Sequence, residues 1–305
     1  MAIVGRAWRV AAAAAVLIGM TTVASEAASA QQYPENWNVL SAFAGGVWEP
    51  GTPPAGANVS SCQLTSTHPN PVVLVHGTFE NQNDNWQAIA PFLANDGFCV
   101  YTFTYGQTWY SGGIGGVGDI YSSAKQLGSF VQRVLTQTGA GQVDLVGHSQ
   151  GGMLPRVYLK DGGGVPFVHQ IVGLAADNYI PGVSGVTELA ELIPGAQAVL
   201  DFGCPSCSEQ TSQSFFNQLN SGTVTYPTVQ YSEIESTHDE VVTPYQHAFL
   251  PAAPNVTDET VQQYCPDDPV GHIGIVYDSD VAQMVANALA PALAQPVLCS
   301  SGFGY

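Results

Sequence analysis

The chain has 305 residues, with six Lys+Arg against 24 Asp+Glu and a formal charge of −18. So few basic residues cannot neutralise phosphates or release counterions, which excludes nucleic acid and an electrostatic hold on anionic lipid as partners. Yet 45% of residues are hydrophobic and only 10% charged, so the chain folds around a real core of one large domain or two small ones.

At the N-terminus, Arg6 and Arg9 precede an apolar run from Val10 to Met20, and small residues follow to Ala28-Ser29-Ala30. This is the pattern of a secretory signal peptide over residues 1–30, cut after Ala30; the run is too short to span a bilayer. Removing Arg6, Arg9 and Glu26 leaves four basic residues (6 − 2) against 23 acidic (24 − 1), a net of −19. Export explains the six cysteines, all beyond the leader, as three disulfides. Six cysteines allow fifteen connectivities, and pairing sequence neighbours gives Cys62–Cys99, Cys204–Cys207 and Cys265–Cys299. The Cys204-Pro205-Ser206-Cys207 motif lacks a second C-x-x-C and a thioredoxin-like context, so it reads as a surface clasp. Sequons stand at Asn58 and Asn255.

Residues 31–70 are rich in Gly, Pro, Asn and Ser and read as an irregular arm. Pro71-Val-Val-Leu-Val-His76-Gly77 has the continuous apolar form of a strand buried on both faces. A helix is expected from Trp86 to Asn95, with Asp84 and Asn85 as capping candidates, then a strand over Phe98–Tyr105. Ile120, Ala124, Leu127, Val131 and Val134 form one helical stripe, stopped by Gly139 and Gly141. Val143–Val146 predicts a third strand, Gly151–Lys160 a helix, Phe167–Ala176 and Thr228–Ile234 two more strands, and Ser279–Leu293 a closing helix. Such alternation implies βαβ units and a mainly parallel sheet. The stretch from Asp177 to Asn220 interrupts it and suits an insertion over the sheet. Its apolar residues between 178 and 220 are compatible with a lid or acyl-binding wall, or with plain packing.

Gly147-His148-Ser149-Gln150-Gly151 lies between a predicted strand and helix, the context that gives G-x-S-x-G its meaning. A sharp turn there lifts the Ser149 hydroxyl above the strand ends, at the N-terminus of a helix. A serine nucleophile needs a base and an orienting carboxylate, and on this architecture they follow in the order Ser, acid, His. His169, His238, His247 and His272 come after Ser149. His169 falls within a strand, whereas His272 sits in a Gly-flanked loop before the last helix and is the expected base, with His247 and His238 as alternatives. Asp239 follows the fifth strand and is the expected acid, with Glu240, Glu235 and Asp177 as alternatives. Backbone amides of Thr78 and Gln150 are placed to form an oxyanion hole. His76 and His148, beside the strand ends, suit structural hydrogen bonding. No ligand cluster has metal-binding spacing, and no cofactor is expected.

Pro71-Val-Val-Leu-Val-His-Gly-Thr-Phe79, Gly147-His-Ser-Gln-Gly-Gly-Met-Leu-Pro155 and Asp239-Glu-Val-Val-Thr-Pro244 together resemble the secreted bacterial class 2 lipases, of the α/β-hydrolase superfamily. The resemblance spans roughly residues 60–300. It implies an α/β-hydrolase fold over residues 31–305, a Ser149–Asp239–His272 triad, and carboxylic ester substrates, acylglycerols above all. It also supports the Cys62–Cys99 bridge. The sequence departs from the family after Ala175: a polar loop with His-Gly is usual there, and Ala176-Asp-Asn-Tyr-Ile-Pro-Gly182 stands instead. An exported, monomeric esterase or lipase is thus expected. A polyester depolymerase or a catalytically silent binding protein of the same fold are the alternatives.

Overall fold

The computed structural model describes residues 1–2, 32–179 and 185–299. The expected leader and its cleavage point lie outside the described residues. Six strands form one parallel sheet in the order β2-β1-β3-β4-β5-β6. They are β1 (Val72–Val75), β2 (Val100–Thr102), β3 (Val143–His148), β4 (Val168–Leu174), β5 (Gln230–Glu235) and β6 (Val256–Thr260). Register runs Val72 to Asp144 between β1 and β3, Asp144 to Gln170 between β3 and β4, and Tyr231 to Val256 between β5 and β6.

The alternation of side chains along each strand splits the interior into two cores. Val72, Leu74, Val146, Val172, Leu174 and Ile234 face one side. Val73, Val75, Val143, Leu145, Ile171 and Tyr231 face the other. The first core is covered by α1 (Val39–Trp48), α2 (Ile89–Asn95) and the C-terminal helix over Ser279–Leu289. The second is covered by α3 (Ile120–Thr138) and α4 (Gln150–Asp161). In α3 the predicted stripe is the buried face; Asp119 caps it by accepting from the Ser122 amide at 2.7 Å, and Gly139 ends it at φ +74°. Such burial on both faces is what an all-parallel sheet requires.

Several elements differ from their sequence expectation. The arm is not irregular throughout, because it holds α1, capped by Asn38. Gly45 and Gly46 mask this helix in the sequence, yet they are what lets it pack. A Cβ at Gly46 would overlap the Asp84 carboxyl, and one at Gly45 would crowd the Gln87 amide. Asp84 and Asn85 do not cap α2; they are buried within a tight turn, where Asp84 accepts from the Asn81 amide at 2.7 Å. β2 is shorter than expected, since Tyr105 leaves the sheet to donate its hydroxyl to the His76 carbonyl at 2.8 Å. β6 was not expected; Val-Thr-Asp-Glu-Thr is a half-exposed edge strand whose charges guard the sheet edge. The insertion contains four short helices, α5 (Gly185–Leu192), α6 (Ala196–Phe202), α7 (Pro205–Gln210) and α8 (Gln213–Leu219). After β6 come α9 (Val261–Tyr264) and α10 (Ser279–Leu289).

The cysteines pair as Cys62–Cys99, Cys204–Cys207 and Cys265–Cys299. The second is not a surface clasp. Both of its cysteines are buried in the first core, where Ser206 between them donates to the Gly116 carbonyl at 2.6 Å.

β1 leads through α2 to β2 on one side of itself, whereas β3 leads through α4 to β4 on the other. The connections diverge between β1 and β3, so the carboxyl ends of these two strands are the switch point at which α/β sheets form their ligand crevice. Thr78 follows β1 and Ser149 follows β3, so both flank that crevice.

Candidate active site

Ser149 sits between β3 and α4 with φ +54° and ψ −124°, a conformation that non-glycine residues rarely adopt. The neighbouring glycines make it possible. A Cβ at Gly147 would overlap the Gly151 carbonyl, and a Cβ at Gly151 would overlap the Val75 carbonyl of β1. The turn is fixed by the Ser149 amide donating to the Leu174 carbonyl at 2.9 Å. The Ser149 hydroxyl is buried without a hydrogen-bond partner among the described residues.

The β1 loop closes against this elbow, with a Cβ at Gly77 falling 3.3 Å from the Ser149 Cβ. The Thr78 side chain is held from both sides: its hydroxyl accepts from Gln150 Nε2 at 2.9 Å and donates to Gln210 Oε1 at 3.1 Å. Gln150 Nε2 also donates to the Gly116 carbonyl, and Tyr105 donates to Gln150 Oε1 at 3.2 Å. Gln150 opens α4, so its amide has no earlier helical turn to bond. Gln210 and Tyr105 gave no sequence signal, because their roles arise only from the packing of α7 and the β2 loop.

Across the crevice, His272 Nδ1 donates to Asp239 Oδ2 at 2.8 Å, with both side chains fully buried. The other Asp239 oxygen accepts the Val241 and Val242 amides, each at 2.7 Å. These bonds leave His272 Nε2 as the free nitrogen; it is buried and has no partner among the described residues. Burial works to raise the Asp239 pKa, but the charge and hydrogen bond of His272 hold it below the ordinary carboxylate value. Burial likewise disfavours the His272 imidazolium. The carboxylates of Asp239, Asp177 and Glu240 outweigh it and push the ring up to about 9.

The alternative acids all lie close by in supporting places. Glu240 Oε2 accepts the His272 amide at 3.0 Å. Asp177, next to the elbow through its amide bond to the Ser149 carbonyl, is raised to about 7 by burial. Glu235 is pushed well above its usual range by burial and by Asp239 beside it, and its Oε1 accepts the Ser236 amide.

Of the other histidines, His148 lies nearest, its ring 5.0 Å from that of His272. Its Nε2 donates to the His272 carbonyl at 3.0 Å, and its Nδ1 lies 3.0 Å from Glu80 Oε2. Glu80 and Asn85 both accept the Gly77 amide, so this buried set ties β1, the elbow and the His272 loop together. Glu80 carries no sequence signal and Asn85 reads only as a helix-cap candidate, because a polar run after a strand looks like a solvated loop. His76 donates from Nδ1 to the Gly77 carbonyl and accepts the Tyr105 amide at Nε2; burial lowers it to about 4. His169 pairs with Asp144, and His238 faces the Asp268 carbonyl. His247 packs by Tyr179. Asp268, Asp278 and Asp280 cluster within 4.8 Å, with Asp278 capping α10 and Asp268 accepting the Val270 amide.

The pattern of the family described as lipase (class 2) matches residues 69–281. Triacylglycerol lipases of Pseudarthrobacter phenanthrenivorans and Burkholderia plantarii are each 38% identical over 91 residues, 28% of this chain. Those matches span 27% and 24% of the two lipases, about a quarter of their length. Aspergillus fumigatus lipase B superposes with a TM-score of 0.58 at 17% identity, over 78% of this chain and 57% of that one. Mature Bacillus licheniformis lipase BlEst2 gives 0.54 at 13% identity, over 76% and 95%. These likenesses give the fold as that of the α/β-hydrolase lipases, and the family pattern covers both the elbow and the His272 loop. The chain belongs to the class 2 lipase family.

Proposed function

We propose that the protein is a secreted serine hydrolase of carboxylic esters, acting on acylglycerols through Ser149, His272 and Asp239. The observation that carries this reading is the His272 Nδ1–Asp239 pair, with Nε2 left free in the same buried site as an unpartnered serine hydroxyl at a strained elbow. An ionised Asp239 fixes the tautomer whose Nε2 lone pair accepts a proton.

Ser149 Oγ attacks the ester carbonyl carbon while its proton passes to His272 Nε2. The Thr78 and Gln150 amides hold the oxyanion, and Asp239 stabilises the imidazolium. As the carbon–oxygen bond to the alcohol breaks, His272 returns the proton to that oxygen. Water, deprotonated by His272, then attacks the acyl-enzyme and releases the carboxylic acid, with the proton restored to Ser149. All three side chains are almost fully buried, so the substrate enters by displacing cover, in line with the insertion helices acting as a lid. That burial favours a small ester over a polyester film, which needs an open surface. Three disulfides support export, and no helix among the described residues is long and apolar enough to cross a membrane.

Turnover of p-nitrophenyl butyrate by wild type and its loss in Ser149→Ala test the reading. Equal rates in the two would overturn it. Clearing of a polyester film without triacylglycerol hydrolysis would move the substrate class.

A further inference from the structure

The Thr78 side chain is tied to residues far from it in sequence, and hydrogen-bond chemistry fixes the direction of each tie. A hydroxyl has one proton to give. Thr78 Oγ1 gives it to Gln210 Oε1 at 3.1 Å and accepts from Gln150 Nε2 at 2.9 Å. Gln150 directs its other N–H to the Gly116 carbonyl, and its Oε1 takes the Tyr105 hydroxyl. Gln210 Nε2 donates to the Ser206 carbonyl at 3.2 Å, one turn back along α7. Flipping either glutamine amide would set its oxygen against a carbonyl. Thr78, Gln150 and Gln210 are each exposed by 1% or less, so water does not replace a lost partner.

The helix that carries Gln210 is too short to stand alone. α7 has six residues, and isolated helices shorter than about 12 residues are marginal in water. It is fixed from outside itself. Pro205 starts it, and the Cys204–Cys207 disulfide spans its first turn. The Ser206 amide donates to the Val117 carbonyl at 3.3 Å, and its hydroxyl donates to the Gly116 carbonyl at 2.6 Å. Glu209 Oε2 accepts the Ile120 amide at 2.8 Å, at the start of α3. The turn at Gly116 lies against the β1 loop, where a Cβ would come within 2.7 Å of the Gly77 carbonyl and 3.0 Å of the Thr78 Cα. α7 is thus anchored to the same turn that Gln150 and Thr78 close on, although Gln210 is 132 residues from Thr78.

We propose that Gln210 is a positioning residue for ester hydrolysis: it fixes the Thr78 hydroxyl against Gln150, and so holds in place the two backbone amides that receive the oxyanion. The inference rests on the ester-hydrolase reading above and deepens it by a residue that touches no reacting atom. An oxyanion hole works only when its donors are already aimed at the place where charge develops. The Thr78 amide follows β1 and the Gln150 amide opens α4. The Gln150–Thr78 side-chain bond joins the two directly, and Gln210 gives that bond its direction. Misplacing a reacting or stabilising group by about 1 Å costs on the order of 100-fold in rate. The insertion therefore has a fixed part, since displacing α7 would release the Thr78 hydroxyl.

The test measures p-nitrophenyl butyrate turnover and inhibition by a trifluoromethyl ketone in wild type, Gln210→Met, Thr78→Val and the double variant. Ser149 Oγ adds to the ketone carbonyl, whose π pair moves to the oxygen while the serine proton passes to His272. The Ki of the ketone therefore reads the oxyanion donors. Gln210→Met should lower kcat by about 10- to 100-fold with KM within about threefold of wild type, and raise Ki by the factor that kcat/KM loses. Thr78→Val should lose as much, and the double variant no more than Thr78→Val alone, because Gln210 acts through that hydroxyl. Wild-type kcat in Gln210→Met, a loss of kcat without a rise in Ki, or losses that multiply in the double variant would each overturn the role and leave the hydrolase reading intact. If Gln210→Met does not fold, Thr78→Val decides: a paired loss in kcat and Ki supports the role, and wild-type values overturn it. A wild type that turns over no ester defeats the hydrolase reading, and the positioning role with it.

Discussion

Among the described residues, two fully buried carboxylate–histidine pairs stand with their rings 5.0 Å apart, one on the β1 and elbow side and one on the β5 side. Their contacts are nearly equal, 3.0 Å for Glu80–His148 and 2.8 Å for Asp239–His272. The difference lies at the far nitrogen. In His148 it is committed to the His272 carbonyl, whereas in His272 it is free. The first histidine, with both nitrogens engaged, acts as a structural tie, and the second, with a free nitrogen, is the one the proposed mechanism uses as its base. Residue type and burial alone do not separate the two; the hydrogen-bond inventory does.

That contrast is broken most severely by removing the reacting atoms. Ser149→Ala and His272→Ala should each lower kcat on p-nitrophenyl butyrate by about 10⁶-fold. Asp239→Asn should cost about 10⁴-fold, because the amide offers Nδ1–H a weaker acceptor and no charge to stabilise the imidazolium. On the other pair, Glu80→Gln should cost about 10²-fold or less, by shifting the elbow rather than the chemistry. A loss under Glu80→Gln equal to that under Asp239→Asn would erase the distinction.

The pH profile sharpens it further at small cost in rate. In the proposed mechanism the base form of His272 is the reactive one, and against the opposing effect of burial its pKa is raised by Asp239, Asp177 and Glu240. Deprotonation is thus delayed on raising the pH, and the acid limb of kcat/KM should have its midpoint above 6.5. Asp239→Asn should move that limb toward the ordinary histidine value, and Glu80→Gln should leave it in place. For stability the same shift has the opposite sense. Protonated His272 is favoured by the fold, so its contribution is complete below about 6.5 and fades as pH rises toward 9. Melting temperatures of wild type and Asp239→Asn should therefore draw closer over that interval.

How far the sequence reveals all this depends on the physics at each place. The elbow is legible because sterics demand glycine at 147 and 151, and the α3 stripe because burial imposes its period. The parallel strands β1, β3 and β4 show as largely apolar runs. α1 is hidden by glycines that serve close packing, and β6 by the charges that protect an edge. Asp239 is expected as the acid from its place after β5 and from the family resemblance, but local pattern alone leaves Glu240, Glu235 and Asp177 as alternatives in the same loop system. Only the direction of the His272 ring separates the one bonded to Nδ1 from the rest. Tyr105, Gln210 and the Glu80–Asn85 set act across 45 to 132 residues of chain and leave no local pattern.

The most direct test of the central claim is mass spectrometry of the protein after inactivation by a p-nitrophenyl alkylphosphonate. A single adduct on the peptide carrying Ser149, formed in step with loss of esterase activity and absent from His272→Ala, is the predicted result. Full inactivation with the adduct on another residue, or esterase activity that survives complete modification of Ser149, would contradict it.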